Sequence, residues 1–184
     1  RGRCGVGGGE VTGESDAVNE GGTGAVDNLT GKAGKDIVNG IGLDGVVRGG
    51  AGDDAVSISS LDFADVDGGH GTDTLSLEGG GLSLDLTGPR TDITHFEIID
   101  LTGTGDNTLT LDKLSVLRMS DATSGGITTF KVTGDSGDQV FMSDAVDWRQ
   151  SDDRGEDGVA FRVYTNGAAE LLIEDAVTSN FAVD

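Results

Sequence analysis

Aliphatic residues recur along this chain at the spacing of short strands, and glycine and aspartate punctuate them. In the first half the inward candidates fall into two columns, one of Val38, Val56 and Leu75 and one of Leu29 and Val46. Each has a polar or small residue on at least one side, which predicts brief strands with one buried face. Further on the runs lengthen. Leu82-Ser83-Leu84-Asp85-Leu86 alternates strictly, and Phe96–Leu101, Leu109–Leu111, Phe130–Val132 and Val140–Met142 follow, divided by turns such as Thr102–Asn107 and Gly134–Gln139. Asp112–Leu117 and Ser143–Trp148 are each read as a helical turn. Val159–Tyr164 and Ala168–Ile173 flank Thr165-Asn166-Gly167, and Asn-Gly is the strongest short-range hairpin signal. The expectation is an all-β chain closed by a capping β-hairpin.

The turns of the first half repeat one pattern. Gly31–Val38 (GKAGKDIV), Gly49–Val56 (GGAGDDAV) and Gly68–Leu75 (GGHGTDTL) all read Gly-x-x-Gly-x-Asp-x-aliphatic. Glycine permits a tight turn with positive φ, and the aliphatic residue begins a strand. Asp36 and Asp54 are 18 residues apart, Asp54 and Asp73 are 19 apart, and Asp27 and Asp44 are 17 apart. With two nine-residue units per coil, Asp36, Asp54 and Asp73 stack along one edge and Asp27 and Asp44 along the other. Stacked carboxylates are unfavourable unless a cation lies between them. Calcium is the natural candidate, a hard ion that takes carboxylate and carbonyl oxygens.

Composition sharpens this picture. The 184 residues carry a formal charge of −21, and Asp outnumbers Glu by 25 to 8. Asp suits turns and ion loops, whereas Glu suits helices. Nucleic acid and anionic lipid are therefore poor partners for the bare chain. Aromatics make up 4%, so a large conventional core is not expected. Cys4 is the single cysteine, which excludes a disulfide-stapled fold. No apolar run reaches membrane-spanning length, and no signal peptide is visible before an Arg1 that reads as an internal cut point. A disordered Gly/Asp linker is the alternative that composition alone favours; the near-constant register opposes it when calcium is present.

These repeats resemble the RTX (repeats-in-toxin) calcium-binding nonapeptide family, whose pattern GGxGxDx-aliphatic-x is met fully at Gly49–Ser57 and Gly68–Ser76. Gly31–Asn39 lacks only the second glycine, and Asn39–Val47 (NGIGLDGVV) is a weaker copy shifted one place early. Residues 58–66 hold the place of a repeat without its glycines, which leaves Asp62 and Asp65 doubtful as ligands. The resemblance implies a right-handed parallel β-roll or β-solenoid with several Ca²⁺ ions in the turns and irregular coils further on. Ligands implied by it are Asp36, Asp54 and Asp73 with turn carbonyls of Gly31, Gly34, Gly49, Gly52, Gly68 and Gly71, and Asp27 and Asp44 with Gly42 on the other edge. Asp53 is either a further ligand or a solvated charge, and Asp106, Asp135 and Asp138 read as turn formers with ligation the alternative. The organisation expected is a partly ordered lead-in (1–20), the calcium β-roll (21–76), an irregular solenoid continuation (77–145) and a cap with a type I secretion signal (146–184).

No catalytic constellation is visible. His70 occupies a variable turn position, His95 has no partner motif, and neither an HExxH, a GxSxG nor a CxxC occurs. The chain is read as a non-enzyme. The stretch Phe96–Met142, with Trp148 and Tyr164 after it, is similar to a module at the C-terminal ends of large bacterial surface proteins that leave Gram-negative cells by type I secretion. No basic residue follows Arg162, and the ending Asn180-Phe181-Ala182-Val183-Asp184 is similar to type I secretion signals. The function expected is a calcium-dependent folding and export module of a secreted adhesin, placed outside the cell or on its surface. A secretion tail of an RTX lipase or protease, or a ligand-recognition or surface-layer module, is the alternative. Partners expected are calcium and the type I secretion machinery, with no nucleic acid and no membrane insertion.

Overall fold

The computed structural model describes residues 10–12, 19–21, 28–31, 33–39, 41, 44–88 and 92–181. Strands dominate it, and most pair in parallel. One sheet runs β1 (Glu10–Thr12), β3 (Asn28–Thr30), β5 (Val46–Ala51), β7 (Asp65–His70) and β10 (Ile93–Thr94). A second takes the alternate strands β2 (Asn19–Gly21), β4 (Ile37–Asn39), β6 (Ala55–Ile58), β8 (Thr74–Leu77), β11 (Ile98–Asp100), β14 (Ile127–Thr133) and β19 (Ala169–Glu174). Its far end is the antiparallel strand β18 (Val159–Asn166), flanked by β16 (Arg149–Gln150) and β17 (Arg154–Glu156), while β13 (Thr123–Ser124) pairs with β14. The third sheet contains β9 (Ser83–Asp85), β12 (Thr108–Leu111), β15 (Gln139–Met142) and β20 (Thr178–Ser179).

Register follows from burial. A one-residue slip would turn every inward side chain outward. Val38, Val56, Leu75, Ile99 and Val132 therefore stand opposite one another across the second sheet. The first sheet corrects the expected column by one residue. Leu29 faces Val47, which is buried, and Val46 is only half-buried. Val66 and Ile93 continue that column. Most buried apolar residues form one cluster from Leu29 to Phe181, without a break at residue 77 or 146, and Phe161, Val163 and Leu172 form a small second one.

Two local signals place the remaining elements. Asp112 caps the helix α1 (Lys113–Met119): its Oδ1 accepts the Ser115 N–H at 2.7 Å while the Ser115 hydroxyl accepts the Asp112 N–H. Helix α1 packs against β10, β14 and β19, and Phe96 N–H donates to Met119 O. It thus covers the last strand of the first sheet, whose open edge would otherwise invite pairing with another chain. At the other end Gly167, with φ 64, closes the β18–β19 hairpin that the Asn-Gly pair predicted.

Trp148 is buried in this cap. Its Nε1–H donates to Asp144 Oδ1 at 2.9 Å, and its ring meets Phe181 edge-on with centroids 6.2 Å apart. Phe181 also stacks on Tyr164 at 3.8 Å. Asn180 binds Met142 through both its amide groups, accepting the N–H at 2.7 Å and donating to the C=O at 3.0 Å. Phe181→Ala is therefore expected to cost about 3 kcal/mol, the range for emptying a buried aromatic site, as measured by urea denaturation in calcium. No helix among the described residues is long and apolar enough to cross a membrane.

Candidate metal centre

Asp36, Asp54 and Asp73 each end a glycine turn and directly precede β4, β6 and β8. All three are buried, at 2%, 2% and 0% exposure. Buried carboxylates need partners, and the backbone of the preceding copy supplies one. Asp36 N–H donates to Asp54 Oδ1 at 2.7 Å, and Asp54 N–H donates to Asp73 Oδ1 at 2.7 Å. The file continues beyond the repeats, where Asp73 N–H donates to Glu97 Oε2 at 2.8 Å. A second file of the same design lies in the third sheet: Leu82 N–H donates to Asn107 Oδ1, and Asn107 N–H to Asp138 Oδ1.

Glu97 and Asn107 escape a search for glycine nonapeptides, because neither lies in one. A different signal finds all six side chains. Asp36, Asp54, Asp73, Glu97, Asn107 and Asp138 each stand two places before a fully or nearly buried aliphatic residue, namely Val38, Val56, Leu75, Ile99, Leu109 and Val140.

What separates the members is the second polar atom. Glu97 Oε1 accepts the Asp121 N–H, Asp138 Oδ2 accepts the Asp135 N–H, and Asn107 Nδ2 donates to the carbonyls of Leu77 and Leu101. Asp138 is thereby a turn former with both oxygens used. Asp54 Oδ2 and Asp73 Oδ2, by contrast, are buried without a hydrogen-bond partner among the described residues. Each faces a backbone carbonyl across a glycine. A Cβ on Gly49 would lie 2.2 Å from Gly68 O and 2.5 Å from Asp54 Oδ2; one on Gly68 would lie 2.0 Å from His95 O and 2.9 Å from Asp73 Oδ2. Gly31 repeats the arrangement with Gly49 O and Asp36 Oδ2. At Asp54 and Asp73 a carboxylate oxygen thus lies near another acceptor and lacks a positive partner among the described residues, either a proton or a cation.

The acid–base balance records that deficit. Burial pushes the Asp73 carboxyl up to about 7, helped by the charges of Asp54, Glu97 and Asp53 and opposed by the Asp54 N–H. Asp54 is raised by burial and by Asp36 and Asp53, against the Asp36 N–H. Burial also raises Glu97, against the N–H groups of Asp73 and Asp121.

The glycines make the close approach possible. Gly52 and Gly71 have φ of 136 and 143, and a Cβ on either would strike the carbonyl of Gly34 or Gly52. Gly34 adopts φ 111 and donates its N–H to Ala51 O at 2.7 Å. Asp53 is exposed, and its Oδ1 accepts the Thr72 N–H at 2.8 Å, so it braces the next turn.

At Asp44 the second edge departs from this stack. Asn28 pairs with Val46, a step of 18 residues, whereas Asp27 and Asp44 are 17 apart. The turn absorbs the difference at Asp44, which adopts φ 57, is exposed, and gives its N–H to Asp62 O. Asp44 is therefore not in the stacked position expected for it. Asp27 and Gly42 lie outside the described residues. Asp65 pairs with Arg48 at 3.0 Å, and Asp62 is exposed.

Among the described residues no three His, Cys, Asp or Glu side chains converge as a metal cluster. An ion here would take one carboxylate from a turn and its remaining oxygens from carbonyls. That donor set is hard and all-oxygen, which suits Ca²⁺ and not a thiophilic metal. The partnerless oxygens of Asp54 and Asp73, each beside a carbonyl, fit such an ion. Comparison of the chain with protein-family models, with curated proteins and with solved structures gives no match in any of the three.

Proposed function

We propose that this chain is a calcium-dependent folding and export module of a secreted RTX protein, a cell-surface adhesin delivered by type I secretion. In this reading the alternating sheets wind as a right-handed β-roll that continues into a solenoid. Asp36, Asp54 and Asp73 with the carbonyls of their glycine turns hold several Ca²⁺ ions, and the hairpin closes the end. The observation that carries the proposal is the pair of buried, partnerless oxygens at Asp54 and Asp73. Calcium supplies the positive charge those oxygens lack. Where calcium is scarce, a chain of charge −21 with buried carboxylates repels itself and stays open, a state suited to passage through an export channel. Where calcium is near the 10⁻⁴–10⁻³ M range of weak extracellular sites, binding free energy becomes folding free energy.

The test is far-UV circular dichroism during calcium titration of the EGTA-stripped chain, with Mg²⁺ as control. A β signal that appears cooperatively with calcium and not with magnesium is expected. Asp54→Asn keeps an oxygen for the Asp36 N–H but removes the charge, so it should move the midpoint to higher calcium. A full β signal in EGTA at neutral pH, unchanged by calcium, would sink the proposal.

A further inference from the structure

The chain has only two histidines, and the first sheet brings both to one cleft of about 340 Å³. His70 ends β7, and His95 follows β10, the strand paired beside it. Ile93 stands opposite Val66 and Thr94 opposite Asp67. Strand alternation would next turn residue 95 inward, where Gly68 is buried. It does not, because His95 adopts φ 55, a left-handed conformation uncommon for a residue with a Cβ. The imidazole instead lies half-exposed beside Asp67, with Nδ1 2.7 Å from Asp67 Oδ1. A carboxylate only accepts, so in the neutral ring Nδ1 carries the proton and Nε2 keeps its lone pair. Donation of the second ring N–H to a carboxylate is the usual support of a metal-binding histidine, since it fixes the tautomer and raises the basicity of the free nitrogen.

We propose that this cleft takes one borderline divalent cation, Zn²⁺ or Ni²⁺, on His95 Nε2 and the His70 imidazole, with Asp67 as the positioning residue. Imidazole selects such ions over calcium, so the site is separate in chemistry from the oxygen-lined turns. With two protein ligands, water fills the other positions, and binding is weaker than at a four-ligand structural site. Arg48 also lines the cleft, but its guanidinium is paired with Asp65, and Asp67 adds a compensating negative charge. None of this depends on whether calcium folds the chain.

Isothermal titration of Zn²⁺ and of Ni²⁺ into the whole chain, with calcium saturating so that the acidic turns are competed, tests the proposal. One ion per chain is expected. His70→Ala and His95→Asn each remove the saturable heat, Asn being chosen because it tolerates positive φ while lacking the imidazole. Asp67→Asn weakens binding by about 10-fold. The imidazole NMR signals of both histidines should shift together on addition of one equivalent of Zn²⁺. Unchanged far-UV spectra in calcium confirm that the variants are folded. An isotherm that survives both histidine substitutions, or signals that stay in place while metal binds, would assign the binding to carboxylates and overturn the proposal.

Discussion

In EGTA at about pH 8, the Asp73→Asn chain is expected to be more stable than the unsubstituted one by about 1–3 kcal/mol, the usual cost of a buried polar group left unpaired. Asparagine retains an oxygen for the Asp54 N–H and replaces the partnerless Oδ2 with a donor facing His95 O. The protein already contains this solution. Asn107 occupies the corresponding place in the third sheet, accepts one backbone N–H, donates to two carbonyls, and leaves nothing unpaired. The pH dependence carries the sign. Burial raises the Asp73 carboxyl from its ordinary 3.8 to about 7, so the folded chain holds that proton more tightly than the unfolded one. Its contribution is fully present below about pH 4 and is lost as the pH rises, the loss being complete above about 7. The advantage of Asp73→Asn in EGTA therefore shrinks as the pH falls from about 7 to about 4, while its response to calcium is weakened throughout. Urea midpoints measure it, or the fraction folded where the parent is already open. Equal stability of the two chains in EGTA at about pH 8 would show that Asp73 Oδ2 is satisfied by water.

Gly49→Ala is expected to be among the most damaging single-methyl additions, costing about 3 kcal/mol or more. The new Cβ would meet Gly68 O at 2.2 Å and Asp54 Oδ2 at 2.5 Å. The carbonyl belongs to the backbone of the next copy, which cannot retreat without opening the parallel pairing, and the carboxylate is held by the Asp36 N–H. A chain of this size loses about 2–4 °C of midpoint per kcal/mol, so a drop near 10 °C is the thermal reading in calcium. Gly88→Ala is the control, because a Cβ there meets nothing within 4 Å among the described residues. Comparable losses in the two variants would mean that conformational freedom, and not close approach, is what the glycines provide.

The main file was legible because its spacing was nearly constant. Steps of 18 and 19 residues put Asp36, Asp54 and Asp73 together, and the register agrees. Asn166-Gly167 was equally readable, since a turn type is settled by local chemistry; the helical turn expected over Asp112–Leu117 is a helix from Lys113 to Met119, with Asp112 as its cap. Glu97 was not, because β9 and β10 intervene and stretch the step from Asp73 to 24 residues. Asp44 misled for the opposite reason. Its motif is a weaker copy shifted one place early, and burial of Val47 fixes the strand and leaves the aspartate outside. Spacing within a turn does not decide register when the apolar face decides it first.

The hydrogen bonds of the file all run one way, with the donor in the earlier copy and the acceptor in the later one. Such a file can be lengthened from within. A further copy between Asp36 and Asp54 would bring one N–H and one carboxylate in the same sense, while helix α1, the hairpin and the Phe181 stack stay as they are. Duplication of a segment near Asp36 would thus lengthen the array while leaving its closure untouched.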